Sequence, residues 1–488
     1  FQLSSSATMP SIRSIQAKFP NVEKEMIVTA DPSASDWAPM KQSAHSKNTV
    51  NPIRRICDAM AVPPNPYKSL IKLHLGDPTL TGKLPPCEVV TEAMTEAVLS
   101  HKYDGYGPSV GDLAARQAIV DKYCSPKAPF TADDVILASG ASHALQMAIE
   151  ALADPGDNIL IPSPGFPLYS TLCRPHGIED RAYSLNMKNG ALIDLAHMES
   201  LIDERTKAII INNPSNPTGA VFPQEHLESI LRVANRYHVA IIADEIYGDL
   251  VYDGAEFIPI SHLSPRVPTI TIDGIAKRWL VPGWRLGWCI VNDHFNVLQE
   301  VKKGMVALSQ KIVGPCALVQ GALPKILRDT PQSFFDNTKA VISANAKVVY
   351  ETLKGVPGLL PVRPHGAMYM MVGIDRHCYG EETPFVQGLI KEQSVFCLPG
   401  SAFSAPGWFR VVLTYPEEVT LEACERIVDF CSEHLLALPV DERAEGKLTG
   451  SLSPLDDEGC NSADEGCDFD SASAEESEDS RSYSPLFQ

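Results

Sequence analysis

No uninterrupted apolar run in this chain approaches the roughly 18 residues that a membrane-spanning helix requires, so no membrane partner is expected. Residues 1–20 are polar and lack the basic, apolar and small-residue order of a secretory leader. Phe1 in place of Met reads as a processed or truncated start, and the expectation is a cytoplasmic protein. No basic stripe offsets the net charge of −19, which argues against nucleic acid as a partner. The twelve cysteines form no Cys-x-x-Cys pair and have no nearby His at zinc-site spacing, so no metal is expected. They read as small buried apolar groups in a reducing compartment.

What is present is ordinary for a globular protein: 488 residues, 44% hydrophobic and 21% charged, enough for a large core and a smaller satellite. The charge is unevenly placed. From Ser451 onward eleven acids face Arg481 alone, so this segment carries −10 of the −19. Residues 441–488 therefore read as an acidic, Ser-rich, disordered tail, and residues 1–67 as a partly disordered arm ending in Pro63-Pro64-Asn65-Pro66.

Between them the pattern is regular. Leu73 to Pro78 reads as a short strand into a turn, where Gly76 would let a ligand approach the backbone or would simply serve the turn. Pro86 to Leu99 and Leu113 to Tyr123 have helical spacing. Strand, turn and helix then alternate: strands at 135–138, 159–161, 206–211, 239–243 and 269–272, helices at 143–152 and 224–237. Long helices are expected around 318–353, and strands at 366–372 and 409–413. Such alternation predicts an α/β fold with a mostly parallel sheet covered on both faces, and ligands at the carboxyl ends of its strands.

Those ends carry the chemistry. Lys277 follows the apolar run Thr269–Ile272, and an amine held there becomes a nucleophile if its pKa is depressed. Arg285, past a Pro-Gly turn, offers a guanidinium for a phosphate, and Trp279, Trp284 and Trp288 wall the segment. The Lys277-Arg278 pair beside aromatics equally fits a solvated edge. Ser139-Gly140-Ala141-Ser142 suits an anion site at a helix start, a nucleophile elbow with Ser142 as a hydrolase serine, or an ordinary helix cap. Asp244, closing an Ile-rich strand, needs a partner: a protonated pyridine nitrogen or a core arginine.

Together, Asn216-Pro217-Thr218-Gly219, Asp244-x-x-Tyr247 and Ala276-Lys277 with Arg285 eight positions later resemble the signature of the fold-type I, class I and II aminotransferases, which use pyridoxal 5'-phosphate. Leu280 to Trp288 and Arg363-Pro364-x-Gly366-Ala367-Met368-Tyr369 extend the likeness, over about residues 67–436, to the tyrosine-transaminating members. The resemblance implies a large cofactor-binding domain at 101–350 and a smaller α/β domain built from 68–100 and 351–440. It implies that Lys277 carries the cofactor and shuttles the proton of the 1,3-prototropic shift, that Asp244 pairs with the pyridine nitrogen, and that Asn216 and Tyr247 pair with the ring oxygen. Gly140, Ala141, Ser142 and Arg285 would hold the phosphate, Phe166 would stack on the ring, and Arg410 with Gly76 would take the substrate α-carboxylate. Tyr106 would reach the phosphate of the partner subunit in a homodimer. The implied reaction moves the amino group of L-tyrosine to 2-oxoglutarate, giving 4-hydroxyphenylpyruvate and L-glutamate, as in tyrosine and phenylalanine catabolism. An aminotransferase for other amino acids or a carbon–sulfur lyase would keep the same residues. Gly274 and Ala141 depart from the broader family, where hydroxyl residues are common.

Overall fold

The structure, a computed structural model, describes residues 38, 40–60, 62–81 and 84–438; the start of the expected arm and the whole acidic tail lie outside the described residues. Its centre is an eight-stranded sheet formed by β1 (Val135–Ala138), β2 (Asn158–Ser163), β3 (Glu179–Asn186), β4 (Leu192–Ile193), β5 (Thr206–Asn212), β6 (Ala240–Asp244), β7 (Thr269–Gly274) and β8 (Gly287–Asn292), in the order β1-β8-β7-β6-β5-β2-β3-β4. β7, β6, β5, β2 and β3 run parallel. β8 is antiparallel to both β7 and β1, so the carboxyl ends of β1 and β7 meet at one edge, where Ala138 and Gly274 both register with Gly287.

The central strands are Ile- and Ala-rich because both faces are covered. β6 and β7 are buried at every position. Helix Gly140–Leu152 packs with Ile270, Ile272 and Cys289 on one face, and helix Gln224–Tyr237 with Ile209, Ile211 and Ile241 on the other. A second, antiparallel sheet follows: β9 (Leu359–Pro361), β10 (Tyr369–Ile374), β11 (Leu398–Pro399) and β12 (Trp408–Val412), ordered β11-β12-β10-β9. Among the described residues no helix is long and apolar enough to cross a membrane. Among the described residues ten cysteines are free, and the six buried ones serve as core volume rather than as crosslinks.

Several expectations need correction. Leu73–Pro78 is not a strand: Ile71 makes one isolated bridge to Val395, Leu73 gives its carbonyl to Val412, and no ladder continues between them. Within the arm, helices Ala44–Asn48 and Pro52–Ala59 form; Asn51 caps the second, whose Ile53 and Ile56 pack on Leu398 and Phe403. The helix after β1 begins at Gly140 rather than 143, and β10 at Tyr369 rather than 366. Trp279 and Trp288, with the half-buried Trp284 against them, join the core beneath helices Glu88–Leu99 and Ala317–Asp329.

Candidate active site

Asn212 ends β5, Asp244 ends β6 and pairs with Asn212 in register, and Lys277 stands three residues past the end of β7. Parallel strands of equal reach therefore deliver an amide, a carboxylate and an amine to one edge of the sheet. Gly76, Ala141, Ser142, Phe166, Asn216, Asp244, Tyr247, Lys277, Arg285 and Arg410 all line one cavity there, of about 280 Å³. Gly140 adjoins it. Tyr106 does not: it is 95% exposed on this chain.

Among the described residues the Asp244 carboxylate has no arginine partner. Its Oδ2 accepts the Tyr169 hydroxyl at 2.7 Å, and its Oδ1 has only the Ile246 N–H at 3.4 Å. Burial pushes this carboxyl up to about 6, against the opposing pull of the Tyr169 hydrogen bond and the Lys277 cation. The Asp244 backbone is fixed as well, its carbonyl accepting from the Asn212 side chain at 3.0 Å. Asn212 Oδ1 in turn accepts the Asn216 N–H at 2.7 Å.

Lys277 is half-buried and donates from Nζ to the Gly76 carbonyl at 2.8 Å, with the Tyr247 ring 5.7 Å away. Its neighbour Arg278 excludes a solvated edge: only 3% exposed, it is committed to Asp249, Asp273 and the Tyr123 hydroxyl. A slightly larger cavity, about 330 Å³, opens around Arg278, Asp273 and Lys122 but contains none of the expected site residues. Glu245 lines it, its carboxyl pushed up to about 8 by burial despite a hydrogen bond from the Ile260 N–H.

Arg410 is 3% exposed, not a surface strand residue. Nη1 donates to Asn216 Oδ1 and Nη2 to the His74 carbonyl, both at 2.9 Å, and Nε has no partner. The guanidinium lies 4.2 Å from the Tyr369 ring centre and 4.6 Å from that of Phe403. His74, whose pKa burial and the Arg410 charge lower to about 4, is neutral in this wall.

At the opposite end, Gly140 opens the helix with φ of 76°, leaving first-turn amides without intrahelical partners, as suits an anion. A Cβ on Gly140 would run into the Arg285 guanidinium, so glycine keeps this cradle open. Arg285 is exposed, its Nη1 held 3.0 Å from the Pro282 carbonyl. Gly274 has no room for a serine: a Cβ would lie 2.7 Å from the Leu286 carbonyl and 2.9 Å from Gly287 Cα. Ser142 is exposed, and the adjacent His143 ring accepts the Ser139 N–H at 3.3 Å, so that ring does not serve Ser142 as a base.

The likeness to known proteins agrees with this geometry. Residues 68–427 match the family model for aminotransferase class I and II. The chain belongs to this family. It is 64% identical over 396 residues to a tyrosine aminotransferase of Caenorhabditis elegans, covering 81% of this chain and 85% of that one. A human tyrosine aminotransferase is 47% identical over 439 residues, with 89% and 96% covered. The crystal structure of a tyrosine aminotransferase from Leishmania infantum superposes with a TM-score of 0.79 at 32% identity, covering 82% of this chain and all of that one. The fold-type I architecture and the aminotransferase class expected from the motifs are those of this family.

Two tyrosines of the site had no role in the sequence pattern. Tyr169 holds Asp244 from 75 residues earlier in the chain, on the helix after β2. Tyr369 was legible only as one letter of a motif, yet its hydroxyl lies 2.8 Å from that of Tyr247.

Proposed function

We propose that this enzyme transfers the amino group of L-tyrosine to 2-oxoglutarate with pyridoxal 5'-phosphate as cofactor. The observation that carries the reading is the convergence of the Lys277 amine, the Asp244 carboxylate and the Arg410 guanidinium on one cavity. The residues present fit the cofactor: a buried carboxylate with one oxygen open for a pyridine N–H, an amine within the cavity, and a glycine cradle with an arginine beside it for the phosphate. When bound, that group supplies an electron sink for the bond broken at the substrate Cα.

This chain's own residues do the rest. Asp244 holds a proton on the pyridine nitrogen, a task that requires its ionised form. Asn216 and Tyr247 would hydrogen-bond the ring oxygen, and Phe166 would cover the ring. Arg285 and the amides of Gly140, Ala141 and Ser142 take the phosphate. Lys277 would hold the cofactor through Nζ, and the same atom is the one placed to carry the proton of the 1,3-shift. Arg410 binds the α-carboxylate that tyrosine and 2-oxoglutarate share, with the Gly76 backbone beside it.

The subunits pair as a homodimer in which Tyr106 serves the neighbouring site, a reading supported by its exposure and by its not lining the cavity of its own chain. We place the enzyme in the cytoplasm. The test is Lys277→Ala in the purified protein: the visible absorbance of bound cofactor and the turnover of tyrosine should both vanish while the circular dichroism is retained. A variant that kept both would refute the assignment. On the wild type, a panel of amino acids with keto-acid and thiol analysis distinguishes tyrosine transamination from other amino-group transfers and from carbon–sulfur cleavage.

A further inference from the structure

Tyr369 belongs to the smaller sheet, as the first residue of β10, yet its ring reaches into the cavity lined by Lys277 and Tyr247. It is 2% exposed, with the Arg410 guanidinium over one face and the Tyr247 ring edge-on at 5.7 Å. Its hydroxyl occupies the place that a Cβ on residue 76 would take, which is why a glycine stands there. The Gly76 carbonyl accepts the Lys277 ammonium, and that cation also acts on the Tyr369 hydroxyl.

Two phenols 2.8 Å apart share one hydrogen bond, so the proton direction of one fixes that of the other. Burial raises both hydroxyls, but beside Lys277 and Arg410 the Tyr369 phenol ends below the ordinary range, while Tyr247 is held well above it. Whichever phenol donates, the contact removes one degree of freedom from the Tyr247 hydroxyl and ties it to the small-domain strand.

We propose that Tyr369 is a positioning residue that faces the Lys277 amine and shares a hydrogen bond with Tyr247, so that it orients the amine and holds the Tyr247 hydroxyl. No covalent step is assigned to it. The inference rests on the aminotransferase reading, because it concerns the two groups that would face the cofactor.

Tyr369→Phe removes the hydroxyl but keeps the ring on Arg410 and the packing volume. In the cofactor-loaded enzyme, the pH midpoint of the visible absorbance should move by about one unit and kcat should fall about tenfold, the loss of roughly one hydrogen bond to a charged group. KM for tyrosine should stay within about threefold, since the guanidinium and its aromatic face are untouched. Combining it with Tyr247→Phe should cost less than the sum of the two single changes, because both break the same chain. Gly76→Ala, which displaces the hydroxyl without deleting it, should move the midpoint as well. In cofactor-free protein, the pH of half-acylation of Lys277 by acetic anhydride, read by peptide mass spectrometry, should shift in the Tyr369→Phe variant. An unmoved midpoint and unchanged kcat in a folded, loaded Tyr369→Phe enzyme, or strictly additive effects with Tyr247→Phe, would overturn the proposal and leave the aminotransferase reading intact. A wild-type protein that took up no cofactor would instead defeat that reading.

Discussion

Tyr169→Phe isolates the chemistry of the buried carboxylate. The hydroxyl of Tyr169, fully buried on the helix Leu168–Cys173, donates to Asp244 Oδ2 at 2.7 Å, and this bond favours the ionised carboxylate over the neutral acid. A hydrogen bond to a charged group contributes roughly 1.5–3 kcal/mol, which at about 1.4 kcal/mol per pH unit corresponds to a change of about one to two units. Burial has already pushed Asp244 up to about 6, so without the phenol its titration passes through neutrality. Only the ionised form holds a proton on a pyridine nitrogen. The acid limb of pyridoxal phosphate binding to the cofactor-free protein should therefore move upward by about one to two pH units in the variant. Affinity at pH 8.5 should stay close to that of the wild type. The assay is an equilibrium titration of cofactor-dependent fluorescence quenching from pH 5.5 to 8.5; because the ligand titrates identically with both proteins, their difference reports Asp244. Phenylalanine preserves the ring and its edge contact with Phe166, so packing alone predicts no shift. Superimposable acid limbs would refute the claim that Tyr169 tunes the carboxylate.

Three further outcomes follow from the geometry. Arg410→Met should lower kcat/KM for tyrosine and for 2-oxoglutarate alike, by about ten- to a hundredfold, since one donor set serves the α-carboxylate of both; a loss confined to one substrate would contradict shared recognition. Gly274→Ser should destabilise the fold by about 1–3 kcal/mol, because its Cβ has nowhere to go between Leu286 and Gly287, and a thermal midpoint equal to the wild type would remove that account. Glu245→Gln tests a proton bound on folding. With a folded pKa of about 8 against 4.5 for the free side chain, the native state keeps a proton that the unfolded chain has lost, so stability falls as pH rises between those values. Glutamine keeps the acceptor for the Ile260 N–H and cannot ionise, so its advantage in melting temperature should grow from pH 5 to pH 8 and then level off. A difference independent of pH would show that Glu245 is not the group responsible.

The parallel core was legible because its strands are short apolar runs ending in polar residues, as in Ala240–Asp244, and helix Gln224–Tyr237 because of its one-sided periodicity. β3 was not legible: Glu-Asp-Arg-Ala-Tyr-Ser-Leu-Asn has no alternation over its first half, and pairing with β2, and at its end with β4, makes it a strand. β8 was hidden by its tryptophan, which reads as an aromatic wall but is a fully buried core residue. In the site, the cavity contains the residues whose spacing had chemical meaning, Lys277 and Asp244 among them. The partners that hold them came from far along the chain: Gly76 lies 201 residues from Lys277, and Tyr169 lies 75 from Asp244. Contacts of that range leave no local periodicity. Asn216 was expected at the ring oxygen, but its acceptance of a bond from Arg410, 194 positions away, depends on how the two sheets meet.

The surroundings of Arg410 have a further effect. Its contacts are an amide oxygen, a peptide carbonyl and two aromatic faces, and among the described residues no carboxylate pairs with it. Among the charged groups lining the pocket, Arg410 is thus balanced only by dipoles and π-electron density, and any small organic anion that reaches it relieves the imbalance. Simple monocarboxylates in a buffer should compete with amino donor and keto acceptor indiscriminately. The inhibition should weaken little with added inert salt, since a site this enclosed is poorly reached by screening ions.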